Sequence, residues 1–539
     1  MSSRYLVTCL TALVVTSTLL ITTSEVTLGQ ESASAGPSEN TVSVGHAVSD
    51  AVSDMPAARE AALEKKREKP LRLIPQQPPG QEQPDAALQA NAGPFVSSST
   101  PIGFAGVGDG DYGFLPNAAP PDPNMAVGTT QIVQWVNESF AVFDKSGNLL
   151  KGPVAGNTLF NNLGGACATN NDGDPIAQYD KLANRWILTQ FSVATTPYLQ
   201  CVAVSQTNDA TGSYNLYSFS YGTTQFPDYP KLSVWPDAYY ISFNIFNNGS
   251  TFAGAKLCAY DRAAMISGAS TARQQCFQLS TSYGGLLPAD LDSATNPPAA
   301  GTPEPFINFG SNSLNVWRFK VDWTTPANTA LSGPINVPVA AFTAACSGGG
   351  TCIPQSGTSN TLDSLADRLM YRFAYRTSTA NRAAESAVVN HSVTVSGNKR
   401  SQVVGIRWYQ LGNLTSSTPT VLQQGTFSPD SNSRWMGSIA TDKLGNIAVG
   451  YSESSGSTFP RINYTGRVPG DPTGTLESEG LLKAGSGSQT GNLHRWGDYS
   501  AMRVDPSDDC TFYYTNQYQK SSGSFNWSTW ISTFKMPGC

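Results

Sequence analysis

Aspartates and arginines that could act as acids or bind anions recur at one place in a repeated pattern of this chain. That place is the start of an apolar run. Crowded carboxylates at such positions raise one another's pKa, which suits a general acid, and arginine forks bind carboxylate or sulfate groups. An Asp at a strand start also caps a turn by accepting backbone N–H bonds, so each position has a structural interpretation as well. The candidates for a central funnel are Asp122, Asp174, Asp228, Asp290, Asp292, Asp367, Arg368, Arg434, His494, Arg495 and Asp498.

The elements that must position these residues form a repeat of roughly 60 residues from residue 122 onward. Each unit has a polar anchor, an apolar run, a turn containing Asp, Gly or Asn, and a second run rich in aromatic residues, as in 174–191 and 498–515. Short strands repeated in this way predict an all-β protein, a β-propeller with seven four-stranded blades. Six or eight blades stay open. A string of β-sandwich domains is the other interpretation, but it would not repeat one such unit.

The ends of the chain bear on how the propeller closes. The last unit contains only three candidate strands, and the strand-like segment 99–108 precedes the first unit. Because an open blade leaves bare strand edges, we predict that 99–108 is the outer strand of the final blade and that the domain covers 96–539. Residues 30–95 are poor in aromatics, with a charged run and a Pro/Gln-rich stretch, and this composition predicts a disordered linker or a pro-segment.

The first 29 residues have the pattern of a secretory signal peptide. Arg4 supplies the positive charge, residues 6–21 the apolar core, and 27–29 a small-residue cleavage site. We therefore expect a secreted protein, extracellular or periplasmic, and no later run is long enough to span a membrane. The eight cysteines that follow should pair in an oxidising compartment. Their places in the blade register predict the disulfides Cys167–Cys201, Cys258–Cys276, Cys346–Cys352 and Cys510–Cys539.

Composition excludes several functions. The net charge is −6, and the 33 basic residues form no stripe, so no nucleic-acid partner is expected. His391 and His494 are the only histidines of the domain, and a Ser-His-Asp triad or a zinc site is not indicated. Asn170, Asp172 and Asp174 are spaced as in a calcium loop but lack its later glutamate, which favours an ordinary turn. No cofactor is expected, and calcium is the one ion for which the spacing argues.

Residues 122–539 resemble sialidase-like propellers and other secreted bacterial propeller proteins in architecture and turn style. The turns 144–148 (DKSGN) and 442–446 (DKLGN) are similar to the sialidase turn, with Gly one residue later. The resemblance implies an arginine triad for a substrate carboxylate, for which Arg368, Arg434 and Arg495 are the candidates.

Two functions remain open at this stage. One is a binding or scaffold propeller, expected to be a monomer, whose acidic and arginine-bearing funnel takes glycans or small anionic ligands. The alternative is a glycan-active hydrolase or lyase, a sialidase-like glycosidase, that uses the funnel carboxylates.

Overall fold

The structure is a computed structural model that describes residue 1 and residues 38–58, 66–75, 84–377, 384–398, 401–416 and 418–539. The predicted signal peptide therefore lies outside the described residues, apart from Met1. Helices of the described residues are short, and none is long and apolar enough to cross a membrane. The α-helical turns are Gly165–Thr169, Arg262–Ser267 and Cys346–Gly349, and the 3-10 turns are Val52–Asp54, Asp111–Gly113, Gly156–Leu163 and Pro326–Asn328.

The first half of the domain consists of antiparallel sheets in which each strand pairs with the next along the chain. Strands such as 199–205 are buried along their whole length, because sheets cover them on both faces, and this explains their continuous apolar runs. The strands are Asn124–Val127, Gln131–Val136, Ser139–Asp144 and Leu149–Ala155; then Ile176–Asp180, Arg185–Ser192, Leu199–Ser205 and Tyr214–Ser220; then Gln225–Val234, Tyr239–Asn247, Thr251–Tyr260 and Arg273–Gln278.

The second half continues the same meander. Its strands are Leu287–Leu291, Glu304–Gly310, Ser313–Lys320 and Ala330–Pro338; then Met370–Thr377, Glu385–Asn398, Ser401–Gly412 and Thr420–Phe427; then Ser433–Thr441, Ile447–Ser455, Thr458–Arg467 and Gly480–Lys483; then Ala501–Val504, Phe512–Gln519 and Trp527–Phe534. A small pair, Thr351–Ile353 and Leu362–Asp363, lies between them. Strand Leu287–Leu291 also pairs in parallel with Met370–Thr377 and so joins two sheets. The number of blades stays a prediction.

The innermost strands of successive sheets contact one another in chain order, and the last of them, Ala501–Val504, contacts the first, Asn124–Val127. This ring of sheets around a central channel is a β-propeller, as the repeat predicted. Strand Ile102–Ala105 pairs with Trp527–Phe534, Ala105 lying opposite Trp530. The prediction that 99–108 completes the last sheet is confirmed. All four predicted disulfides are also present.

The prediction of a disordered linker over 30–95 is wrong for the residues described there. Strands Glu39–Val42 and Gly45–Val48 extend the outer edges at Arg273–Gln278 and Tyr214–Ser220. Leu88–Gln89 likewise pairs with Thr420–Phe427. Such a segment needs no core of its own, because the bare N–H and C=O groups of an outer strand bind its backbone. Residues 59–65 and 76–83 lie outside the described part.

Candidate functional site

A cavity of about 260 Å³ lies where the innermost strands of several sheets begin. Asp122, Asp174, Asp228 and Asp498 line it, and we call it the carboxylate pocket. Asp122 and Asp174 stand two residues before their strands, Asp498 stands three before its strand, and Asp228 lies within strand 225–234. The structure thus brings together these predicted anchors from separate repeats.

The backbone at these anchors repeats as well. Asp122 and Asp174 each precede a proline and have a left-handed φ of 46°, a region that Asp tolerates better than most residues. Tyr229, with φ 55°, also precedes a proline and takes the corresponding place in its own repeat. Asp228 is therefore shifted by one residue relative to the other two anchors, and Lys231 falls where the others have Asn124 and Ile176.

Hydrogen bonds link neighbouring anchors of the pocket. Asp122 accepts the backbone N–H of Asp498 at 2.6 Å and the side-chain amide of Asn137 at 3.0 Å. Asp174 accepts the backbone N–H of Tyr229 at 3.2 Å. The anchors therefore accept backbone N–H groups of other repeats and line the pocket at the same time.

Two of the pocket carboxylates, Asp122 and Asp228, resist ionisation. Burial, followed by the charges of Asp498 and Asp174, raises the pKa of Asp122 well above its ordinary value. Burial and then Asp174 raise the pKa of Asp228 to about 7, against the opposing effect of Arg72. Two carboxyl groups of this pocket thus hold protons at pH values where an exposed aspartate is ionised.

A buried lysine that the anchor pattern did not indicate lies beside the pocket. The ammonium of Lys231 is 3.4 Å from the ring centroid of Tyr229 and 4.1 Å from that of Tyr499. Burial lowers its pKa to about 7, although Asp174, Asp498 and Asp122 oppose this shift. Aligning the repeats on their prolines would have placed Tyr229 and Lys231 beside the anchors.

The arginines of the pocket are already paired with carboxylates. Arg368 donates to Asp367 at 2.7 and 2.9 Å, and its guanidinium lies 4.4 Å from the Tyr229 ring centroid. Arg495 donates to Asp363 at 3.0 Å and also bonds Asp498. Neither guanidinium offers a free fork, so the geometry does not favour the expected anionic ligand.

Arg434 lies elsewhere, and placing it in the funnel is wrong. It does not belong to the described lining of the pocket. Its fully buried guanidinium donates to Glu479 at 2.6 and 3.0 Å and to Asp430 at 2.9 Å. With Glu453, these acids form a group of three carboxylates whose oxygens lie within 4.8 Å of one another, and Arg434 and Arg461 pair with them. An arginine triad with Arg368 and Arg495 is not formed.

Two other anchors lie beside the pocket rather than in its lining. Asp367 accepts the backbone N–H of Ile74 at 2.8 Å and lines a small neighbouring cavity. The ring nitrogen Nδ1 of His494 is 2.8 Å from the carbonyl oxygen of Thr361, and its backbone N–H donates to Glu68 at 2.7 Å.

Asp290 and Asp292 lie in a network across the central channel. Arg372 donates to Asp290 at 2.5 Å and to Asp292 at 2.6 Å, and Arg503 donates to Asp290 at 2.7 Å. Gln178 adds a bond to Asp290 at 2.8 Å. Burial alone would raise the pKa of Asp290, but the two guanidiniums outweigh it and hold the pKa well below its ordinary value.

The residues of the calcium hypothesis have separate partners. Asn170 donates through its amide to Ser192 at 3.0 Å, and Asp172 accepts the backbone N–H of Val193 at 2.7 Å. Asp174 bonds Tyr229 in the pocket. These partners all lie outside the segment 170–174, and calcium binding stays a prediction.

A segment of the expected linker crosses the pocket. Arg67, Glu68, Lys69, Pro70 and Arg72 contribute to its lining. We call residues 66–75 the strap. The strap was missed because its composition is that of a solvated segment, and only the tertiary structure shows that acids lie beneath it.

No family model and no curated protein matches the chain. Among solved structures it is similar to the WD40 domain of coronin from Toxoplasma gondii, with 10% identity over 83% of this chain and 89% of that one and a TM-score of 0.36. An exo-β-1,3-galactanase from Clostridium thermocellum has 10% identity, coverages of 74% and 79%, and a TM-score of 0.29. The polysaccharide lyase Uly1 has 8% identity, coverages of 78% and 90%, and a TM-score of 0.37. Scores this low transfer no activity, and the sialidase-like resemblance stays a prediction.

Proposed function

We propose that the chain is a secreted binding propeller whose carboxylate pocket takes the end of a neutral glycan. The observation that carries this proposal is the convergence of Asp122, Asp174, Asp228 and Asp498 on one cavity that Phe191 and Phe226 also line. Carboxylates accept hydrogen bonds from sugar hydroxyls, and aromatic rings offer an apolar surface to the sugar ring. The four disulfides support export to an oxidising compartment.

The size and charge of the pocket limit the class of ligand that it can bind. Small-molecule pockets have volumes of about 300–1,000 Å³, and the cavity of about 260 Å³ lies just below this range. The guanidiniums of Arg368 and Arg495 are paired, so a ligand with its own carboxylate would meet acids rather than free cations. A neutral sugar at the end of a chain suits this arrangement.

Glycoside hydrolysis is the second candidate, and the raised pKa values of Asp122 and Asp228 favour it. A general acid must hold its proton near neutral pH, as a carboxyl group with a pKa of about 7 does. The leaving-group oxygen of a glycoside would receive that proton, while an ionised neighbour stabilises the positive charge that develops on the sugar.

A glycan array probed with the purified full chain, followed by calorimetry on the strongest glycan, tests the binding function. Asp174→Asn and Asp228→Asn should weaken that binding at least about tenfold, or 1.4 kcal/mol. Asp54→Asn, an exposed aspartate in the same chain, is the matched control. Unchanged affinity in both pocket variants would contradict the proposal.

Release of reducing ends from a polysaccharide panel separates the two candidates. A hydrolase should lose turnover in Asp122→Asn or Asp228→Asn while a substrate still binds. If the unaltered chain binds a glycan but releases no reducing ends, the hydrolase function is contradicted and the binding function is supported.

A further inference from the structure

The strap is held over the carboxylate pocket by its backbone. Strand Arg67–Glu68 pairs in parallel with Ala118–Ala119. The N–H of Lys69 donates to the carbonyl of Ala119 at 2.7 Å, and the N–H of Arg67 donates to that of Asn117 at 2.9 Å. Backbone pairing of this kind is how many domains hold an extended peptide.

Side chains of the propeller also form hydrogen bonds with the main chain of the strap. Arg495 donates to the carbonyl oxygen of Lys69 at 2.9 Å, and Arg368 donates to that of Arg72 at 2.8 Å. Asp367 accepts the N–H of Ile74 at 2.8 Å. Arg368 and Arg495, which the sequence indicated as anion-binding residues, therefore also donate hydrogen bonds to carbonyl oxygens of the strap.

Charge and shape complete the match. Lys69 lies 3.2 Å from Glu138 and donates to the carbonyl of Asp172, while Arg72 lies 3.4 Å from Asp228. Ile74 is 5% exposed and packs in an apolar cluster with Phe191, Phe226 and Phe246. The strap thus presents a lysine, an arginine three residues later and an aliphatic residue two further on, each at a complementary place.

The pocket retains unused bonding capacity beneath the strap. The hydroxyl of Tyr229, a pocket-lining residue that is 3% exposed, has no hydrogen-bond partner among the described residues. An unpaired buried hydroxyl costs free energy, and a ligand that satisfies it recovers this cost. The strap therefore leaves part of the pocket unfilled.

We propose that this face of the propeller is a docking site for an extended basic peptide of a partner protein, and that the strap is a resident copy of that ligand. The partner segment has the strap's pattern, a lysine or arginine three residues before an arginine and an aliphatic residue two further on. The resident copy competes with it, so the site opens when the strap is displaced. This binding is independent of the proposed glycan function, although the two ligands share the pocket.

A fluorescence-polarisation titration with a labelled peptide of residues 66–75, KREKPLRLIP, tests the docking site. The receptor is the full chain with Arg67→Ser, Lys69→Ser, Arg72→Ser and Ile74→Ser, which removes the side-chain contacts of the strap and leaves only its backbone bonds to compete with the peptide. We expect saturable binding to this variant at least tenfold tighter than to the unaltered chain, where the strap competes. A scrambled peptide of the same composition should bind at least tenfold more weakly.

Two outcomes would overturn the proposal. One is equal binding of the scrambled peptide, which reduces the face to a charged surface that does not recognise the order of the side chains. The other is no saturable binding to the folded variant, with folding checked by circular dichroism. If the fourfold variant does not fold, Arg72→Ala alone weakens the strap and should still bind the peptide more tightly than the unaltered chain; equal binding there contradicts the proposal.

The assay also separates this inference from the proposed function. It contains no glycan, so a protein that binds the peptide but no array glycan contradicts only the glycan proposal. A protein that binds a glycan through Asp174 and Asp228 but no peptide contradicts only the docking site.

Discussion

The carboxylate pocket and the central channel contain the same residue types, yet their electrostatics are opposite. In the channel, Asp290 and Asp292 face the guanidiniums of Arg372 and Arg503, and the pKa of Asp290 is held well below its usual range. In the pocket, burial and neighbouring acids raise the pKa of Asp122 and Asp228. Both regions contain acids and arginines, so it is the balance of their charges that distinguishes the structural network of the channel from the carboxylate pocket, the candidate binding site.

The channel and the carboxylate pocket also differ in which segments supply the partners of their acids. In the channel, the partners of Asp290 come from inner strands, with Gln178 and Tyr371 bonding Arg503 and each other. In the pocket, Arg495 of the ring bonds Asp498, but Asp228 receives its cation, Arg72, from a segment outside the ring. A site whose charges are completed in part by a segment outside the ring is able to accept a ligand in place of that segment.

The largest effect is expected from Asp290→Asn in the channel. Removing this carboxylate leaves Arg372 and Arg503 without a shared partner, and breaking a buried pair costs about 3–5 kcal/mol. Urea denaturation at pH 7 should show this loss in the free energy of unfolding, with Asp54→Asn unchanged. A loss below about 1 kcal/mol would show that the channel charges do not depend on one another.

Asp228→Asn should instead increase the free energy of unfolding. Because the folded-state pKa of about 7 lies above the ordinary value, the folded protein holds a proton that the unfolded chain releases, and stability falls as pH rises towards 7. The amide removes this fall, so the variant should be more stable than the unaltered chain by about 1–3 kcal/mol at pH 8. At pH 4 the two should unfold alike. A variant that is less stable at pH 8 would mean that the ion pair with Arg72 dominates.

The smallest effect is expected from Arg72→Ala. Its ion pair with Asp228 is 3.4 Å long and a quarter of its side chain is exposed, and such pairs contribute at most about 1 kcal/mol. The stacking on Phe226, 4.3 Å from guanidinium carbon to ring centroid, adds a similar small amount. Thermal unfolding should therefore shift by only a few degrees. A loss as large as that of Asp290→Asn would place Arg72 in the same class as the channel arginines.

Two Arg-Trp sequences show what the chain itself can and cannot reveal. Arg434-Trp435 and Arg495-Trp496 look alike, and their places at the starts of repeat units assigned both arginines to the funnel. The structure gives Arg495 to the pocket and Arg434 to a cluster with Asp430 and Glu479. Asp430 and Glu479 lie outside the inner strand, so the repeat pattern contained no information on which acid each arginine would meet.

The propeller, its closure and its disulfides were predictable because they follow from periodicity and strand edges, which are local properties of the sequence. Asp122, Asp174, Asp228 and Asp498 were predictable because the starts of these repeats lie at the same end of the channel. The strap was not, because a polar segment bound by backbone pairing and ion pairs has the composition of a linker. Lys231 was hidden among apolar neighbours of its strand.

The strand Glu39–Val42 has a mechanical consequence. It lies on the outer edge of Arg273–Gln278, with Glu39 opposite Cys276, and the Glu39 carboxylate is 2.7 Å from the ammonium of Lys256. A pull applied at Ser38 and directed away from the sheet loads these backbone bonds one pair at a time, as in unzipping. The disulfide Cys258–Cys276 meanwhile anchors the strand from which the edge is peeled. Tension from upstream would thus be absorbed by this short edge strand before it reached the ring.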